Sequence, residues 1–183
     1  MTSYVFLATG FEEVEALTPV DLLRRAGLEA RTISVTGSRT VAGAHNIAVT
    51  ADLTFEEADF SDADFLILPG GLPGATNLYD YAPLRRLLKA HNDKGGRIAA
   101  ICASPGVVLA PLGLLKGKEA TVYPSFDPQL IANGVTYKDL RVVRDGNIIT
   151  GNGPASAMVF GLAIVDEIAG KEVADRLAAA LLM

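Results

Sequence analysis

Among the stretches of this chain that are apolar without interruption are Tyr4 to Ala8, Phe65 to Leu68, and Ile98 to Ile101 following Arg97. Continuous runs of that length fit strands covered on both faces of a parallel sheet. Other stretches repeat with a helical period. From Glu13, the apolar residues Val14, Leu17, Val20, Leu23 and Ala26 recur in steps of three, and Gly27 closes the run. This spacing predicts a helix with a C-terminal glycine, which Pro19 would kink. Ala30 to Val35 reads as a strand half-exposed at Thr32 and Ser34, and Thr36 to Ala51 as a surface hairpin with its apolar alternation at Ile47 and Val49. Thr54 to Ala58 reads as a short helix, and Pro83 to Asn92 as an amphipathic one. Glu119 to Tyr123 reads as a strand that Pro124 ends. Leu140 to Arg144 and Asn147 to Thr150 flank Asp145-Gly146, a strong hairpin signal. Helices over Pro154 to Ala169 and Lys171 to Leu181, parted at Gly170, complete the chain.

Strands alternating with helices imply a mainly parallel sheet with helices on both faces, an α/β three-layer sandwich. Ligand sites in such folds lie at the C-terminal ends of the strands. The 183 residues fall within the range of one domain, taken as roughly 100–200 residues, so residues 1–183 are read as a single unit. The 16 Lys and Arg against 21 Asp and Glu, with net charge −5, include no basic tract able to neutralise a row of phosphates, which argues against nucleic acid. No run approaches the ~20 apolar residues of a membrane span, and the N-terminus has no basic leader. A soluble, cytoplasmic protein is expected. One cysteine with only His45 and His91 beside it forms no cluster at metal-ligand spacing, so neither a metal nor an internal disulfide is expected.

That cysteine is the chemical focus. The strand ending at Ile101 stops at Cys102, and Ala103-Ser104-Pro105-Gly106 leads into another apolar run. Proline suits the first turn of a helix, so the pattern is strand, sharp turn, helix: the geometry of a nucleophile elbow with sulfur in place of oxygen. A free thiol with pKa about 8.5 is only a few per cent thiolate at neutral pH. Lowering it by ~2 units needs about 2.7 kcal/mol, of which one helix N-terminus can supply only part. The pattern equally fits a small buried hydrophobe, the commonest fate of a lone cysteine.

Two other stretches should reach the same rim. Gly70-Gly71, after the second apolar strand, can offer bare amides that with Ala103 would form an oxyanion pocket, although a double glycine also makes a plain strand-exit turn. The acidic run Glu12-Glu13-Val14-Glu15 opens a helix, where carboxylates are favoured, so most of it reads as a solvated face. Glu15 can instead project inward, lose water and keep its proton. A neutral acid there would donate to a thiolate or shuttle a proton.

The motifs Gly10-Phe11-Glu12-Glu13-Val14-Glu15, Leu68-Pro69-Gly70-Gly71 with Gly74-Ala75, Ala99-Ala100-Ile101-Cys102-Ala103-Ser104-Pro105 and Gly153-Pro154, in this order, resemble the ThiJ/PfpI superfamily, in the branch of the Parkinson-disease-associated protein deglycase. So does Pro19 to Gly27. The resemblance implies a flavodoxin-like sandwich, a homodimer, Cys102 as the reactive cysteine, Glu15 as the protonated glutamate, and Gly71 and Ala103 as backbone donors. It implies no cofactor. Activities in that branch include conversion of methylglyoxal or glyoxal to the hydroxy acid, repair of glycated side chains, redox sensing through cysteine sulfinate, and chaperone action.

Departures narrow the expectation. The superfamily's proteases carry histidine after the cysteine, where this chain has Ala103, so a Cys-His protease dyad is not available locally. Tyr123 stands where a eukaryotic relative has histidine, and its hydroxyl, with Gly70 and Pro154, can orient substrate. His45 falls near the place where relatives put an arginine by the neighbouring subunit's pocket, although a solvated loop histidine is the simpler reading. His91 reads as structural. The sequence expectation is therefore a cysteine enzyme acting on α-oxoaldehydes or their protein adducts, with Cys102 as nucleophile and Glu15 as acid/base. A redox sensor or chaperone using the same sulfur is the alternative.

Overall fold

A computed structural model describes residues 1–183. The chain opens with β1 (Thr2–Leu7), buried throughout, and α1 (Glu13–Arg25), then returns as β2 (Ala30–Ser34). A small hairpin of β3 (Thr40–Ala42) and β4 (Ala48–Thr50) precedes β5 (Leu53–Thr54) and β6 (Ala63–Leu68). After α2 (Gly74–Asp80) and α3 (Ala82–Asp93) comes β7 (Arg97–Ile101). The elbow and a run of turns lead to β8 (Glu119–Ala120), α4 (Asp127–Ala132) and β9 (Thr136–Tyr137). The chain ends with the hairpin β10 (Val142–Asp145) and β11 (Ile148–Gly151), then α5 (Ala157–Ala169) and α6 (Lys171–Ala180).

Seven strands form one sheet in the order β10-β11-β7-β6-β1-β2-β5. All pairs are parallel except β10 with β11. Side chains alternate across the sheet and so feed two cores: Phe6, Leu66, Leu68, Ile98 and Leu88 on one face, and Val5, Leu7, Phe65, Ile67, Leu22 and Ile164 on the other. Chain order reverses between β1 and β6, because α1 carries the chain from β1 to one side while α2 and α3 carry it from β6 to the other. That crevice is where doubly wound sheets bind ligands.

Several expectations are corrected here. The helix α1 continues through Pro19, but its buried face runs through Glu13, Glu15, Ala16, Pro19, Val20, Leu22 and Leu23, leaving Val14 51 % and Leu17 38 % exposed. Close packing on α5 explains the phase: a Cβ at Gly161 would lie 2.5 Å from Leu22 Cδ1 and 3.3 Å from Pro19 Cα. Thr32 and Ser34 are buried, not half-exposed. β5 covers that side of β2, and Thr32 is satisfied by Asp52, its amide and hydroxyl donating to Oδ2 at 2.8 and 2.9 Å. Thr54 to Ala58 is no helix: Thr54 belongs to β5 and a turn follows, with the Thr54 amide donating to Glu57 Oε2 at 2.8 Å. The strand expected over Glu119 to Tyr123 keeps only two residues and pairs with β9 outside the main sheet.

Candidate functional site

The first turn of α1, the exit of β6 and the elbow after β7 meet at the C-terminal rim. Cys102 has φ +62°, a conformation costly for a side-chain-bearing residue, which persists only where the surroundings impose it. They do: its amide donates to Gly151 O at 2.9 Å and its carbonyl accepts from the Tyr123 amide at 2.9 Å. The segment after it is not the expected ordinary helix. Pro105–Leu109 forms one wide π-helical turn, closed by the Ala110 amide on Pro105 O at 2.9 Å. So short an element carries little dipole, and stabilisation of sulfur falls to individual amides.

Those amides belong to Gly71 and Ala103, both of which pull the Cys102 thiol down. The approach requires glycine at two places. A Cβ at Gly70 would lie 2.6 Å from both Cys102 Cβ and Glu15 Oε2, and at Gly71, with φ +85°, one would lie 2.5 Å from the Glu12 amide nitrogen. The double glycine is therefore part of the cradle, beyond being a strand exit. Ser104, fully buried, fixes the far side by donating to Pro69 O at 2.5 Å.

Glu15 is completely buried. Its Oε2 accepts from the Gly70 amide at 2.9 Å, its carboxyl faces the Cys102 thiol, and Oε1 has no hydrogen-bond partner. Burial pushes this acid up to about 7, with Glu12's charge adding and the Cys102 and Gly70 hydrogen bonds subtracting. Burial also pushes the thiol up to about 12, reinforced by the charge and hydrogen bond of Glu15 and opposed by the Gly71 and Ala103 amides. This corrects the expectation of a thiol lowered by neighbouring amides and a protonated Glu15: burial and the charge of Glu15 raise it instead. Two of the influences that raise it belong to an ionised Glu15, and they disappear when the carboxyl holds the proton. The two groups titrate as a pair: one proton leaves near neutrality and the second is held to high pH.

Glu13 corrects the reading of the acidic run, because it too is buried. His45 is the solvated loop histidine expected, its side chain 68 % exposed, but it is bonded to Glu13. Its amide donates to Glu13 Oε1 at 2.7 Å and its Nδ1 lies 2.7 Å from Oε2. Burial raises Glu13, but the hydrogen bonds from His45 outweigh it and lower the acid overall, while Glu13 raises His45. The Gly10 amide on Ala42 O and the Ala44 amide on Phe11 O, both 2.8 Å, complete the clasp of hairpin β3–β4 on this loop. Glu12 is the helix cap, its Oε2 accepting from the Glu15 amide at 2.7 Å. The spacing Glu12-x-x-Glu15 resembles a capping signature and was the available signal for it. Glu12, Glu13 and His45 bring three possible ligand atoms within 4.8 Å of one another, yet each side chain is engaged by protein partners.

The remaining candidates sit further out. Tyr123 is 45 % exposed; its amide holds Cys102, and its ring lies 3.3 Å from where a Gly153 Cβ would be. Pro154 is exposed at the start of a short turn and joins the site only through Gly153. His91 packs on Gly96 and shares its Nε2 between the carbonyls of Asp64 and Arg97, at 3.2 and 3.1 Å. A crevice of about 360 Å³ between β10, α5 and α6 holds no nucleophile, and its Arg144 and Lys171 are paired with Asp166 and Asp175.

A doubly wound α/β sheet carrying a cysteine elbow and a buried acid against the sulfur defines the class. The DJ-1/PfpI family profile matches residues 1–167, and the chain belongs to that family. It is 38 % identical to protein dj-1beta of Drosophila melanogaster over 182 residues, covering 100 % of this chain and 97 % of that one. It is 37 % identical to the Parkinson disease protein 7 homolog of Danio rerio, with 98 % and 95 % covered. The solved structure of oxidized Toxoplasma gondii DJ-1 superposes with TM-score 0.94 at 39 % identity, over 99 % of this chain and 97 % of that one. No helix is long and apolar enough to cross a membrane.

Proposed function

We propose that this protein is a cofactor-independent cysteine enzyme acting on small α-oxoaldehydes, or on their adducts with protein side chains. The observation that carries the reading is the buried Glu15 carboxyl against Cys102, with Oε1 lacking any hydrogen-bond partner. A bare carboxylate oxygen left so would be costly; a proton on it gives a donor to sulfur. The pair then carries one negative charge, which the Gly71 and Ala103 amides draw onto sulfur.

The thiolate adds to the aldehyde carbon, forming a C–S bond, and the carbonyl electrons become an oxyanion held by the Gly71 and Ala103 amides. Protonation by Glu15 gives the hemithioacetal. The resulting carboxylate removes the carbon-bound proton to give an enediol and returns it to the neighbouring carbon, while the proton on the first oxygen passes to the second, leaving a 2-hydroxy thioester. Water cleaves that thioester to the hydroxy acid and restores the thiol. The sum is oxoaldehyde plus water to hydroxy acid, with no external oxidant. Purified protein incubated with methylglyoxal should form lactate; Cys102→Ala should abolish the reaction and Glu15→Gln should slow it at least tenfold. Undiminished turnover in either variant removes that residue from the mechanism.

A second reading is favoured by the oxidized state named for the Toxoplasma relative. Two equivalents of peroxide would take Cys102 to sulfinate, each delivering one oxygen and leaving water, with protonated Glu15 and the two amides bonding the new oxygens. Intact mass after peroxide, compared with turnover, separates the readings. A homodimer in the cytoplasm is part of the proposal. The exposed Val14, Leu17 and Ile47 give α1 and the hairpin an apolar surface suited to a second copy.

A further inference from the structure

The acid that faces Cys102 does not act alone. Glu12 and Glu15 grip the same glycine from both sides: the Glu12 amide donates to Gly70 O at 3.0 Å, and the Gly70 amide donates to Glu15 Oε2 at 2.9 Å. The next amide along, that of Gly71, serves the sulfur. Glu12's own carboxylate cannot swing away, because its Oε2 is fixed on the Glu15 amide at 2.7 Å. A negative charge is thereby anchored one helical turn from a buried acid. The titratable groups around Glu15 are Cys102 from the elbow, Glu12 in the same turn, and Glu13, which is paired with His45 from the hairpin. Of the two carboxylates in that turn, Glu13 is bonded directly to His45 at 2.7 Å, whereas Glu12 makes no ion pair of its own and reaches the same His45 only through its charge.

We propose that Glu12 is a positioning residue for the Cys102–Glu15 pair: its anchored carboxylate repels a charge on Glu15, so that the single negative charge of the pair resides on sulfur, while its amide holds the Gly70–Gly71 segment in place. The inference rests on reading Cys102 as a thiolate nucleophile. Its physical content is differential. Like charges close together disfavour ionisation of the nearer acid, and the acid touched by Glu12 is Glu15, whereas the sulfur is flanked by Glu15 and two amides.

The test is the pH profile of Cys102 alkylation by iodoacetamide in the intact protein. Glu12→Gln keeps an oxygen to cap the Glu15 amide and removes the charge. Its alkylation near neutrality should fall roughly threefold to tenfold, with the melting temperature little changed. Glu12→Asp, a good cap that restores the charge, should recover most of that rate. A Glu12→Gln profile superimposed on the native one overturns the proposal, as does an equal loss in both variants, which would make Glu12 a matter of shape alone. Methylglyoxal turnover by the native protein is measured alongside. If turnover is absent while alkylation still follows the Glu12 charge, the enzyme reading fails and this inference stands.

Discussion

Two acids are buried near opposite ends of β6, and they are treated in opposite ways. Asp64, at the entrance to the strand, is answered by Arg97, whose Nε donates at 2.8 Å and whose Nη2 also reaches the carboxylate. The guanidinium in turn lies 4.8 Å over the Phe65 ring and donates to Glu167 O at 2.7 Å. Glu15, at the exit, receives one amide, faces a thiol and has no cation. The first arrangement secures a buried charge; the second leaves an acid free to hold and release a proton. The contrast separates a rim whose buried acid is fully paired from a rim whose buried acid is not.

The comparison can be broken most forcefully at Arg97. Arg97→Ala strands Asp64 and should cost about 3 kcal/mol in urea unfolding, whereas Arg97→Ala with Asp64→Asn should recover much of it. The matching change at the other rim should have the opposite sign. Because burial raises Glu15 to about 7, the folded protein binds a proton that the unfolded chain releases near pH 4.5, so this contribution is present at low pH and lost as pH rises through about 7. Glu15→Gln should flatten that slope and stabilise the fold above neutrality, by on the order of 3 kcal/mol at most. A pH series of melting curves on both proteins checks it.

A smaller effect is expected at Gly70. Gly70→Ala places a methyl within 2.6 Å of Cys102 Cβ and Glu15 Oε2, so alkylation of Cys102 should drop about tenfold while circular dichroism stays native. The smallest effect belongs to His45→Ala. With His45 raised and Glu13 lowered, their attraction is strongest at intermediate pH. It is lost as pH falls through the Glu13 pKa or rises through that of His45. Faster hydrogen exchange at the His45 and Ala44 amides in that window, with little change in global stability, is the expected outcome.

The parts of this division that rest on one local property were legible in the sequence. Apolar runs located β1, β6 and β7, the Asp145-Gly146 pair located the last hairpin, and strand, small residues and proline located the elbow at Cys102. Glu15 was recognisable because it followed Glu12 by three residues in a helix opening at a strand-exit rim. What escaped depends on neighbours distant in sequence. Val14 and Leu17 keep a helical period but face outward, because Gly161 on α5 admits Leu22 and sets the helix rotation. The short helix α2, with Gly74, Thr76 and Asn77, has little intrinsic propensity; the Gly74 amide on Gly10 O at 3.1 Å and Asn77 Nδ2 on Thr9 O at 2.8 Å tie it to the end of β1. Glu13 looked like surface because nothing in its vicinity along the chain foretells His45, which arrives from 32 residues away.

The left-handed backbone at Cys102 is held by residues that come later: Tyr123 on one side and Gly151 on the other. During synthesis, a chain that has emerged only as far as its cysteine lacks both restraints, and the sulfur on it is an ordinary flexible thiol. The strained corner at this position is therefore a property conferred by the last third of the polypeptide, and a nascent or truncated chain acquires it only once that segment has docked.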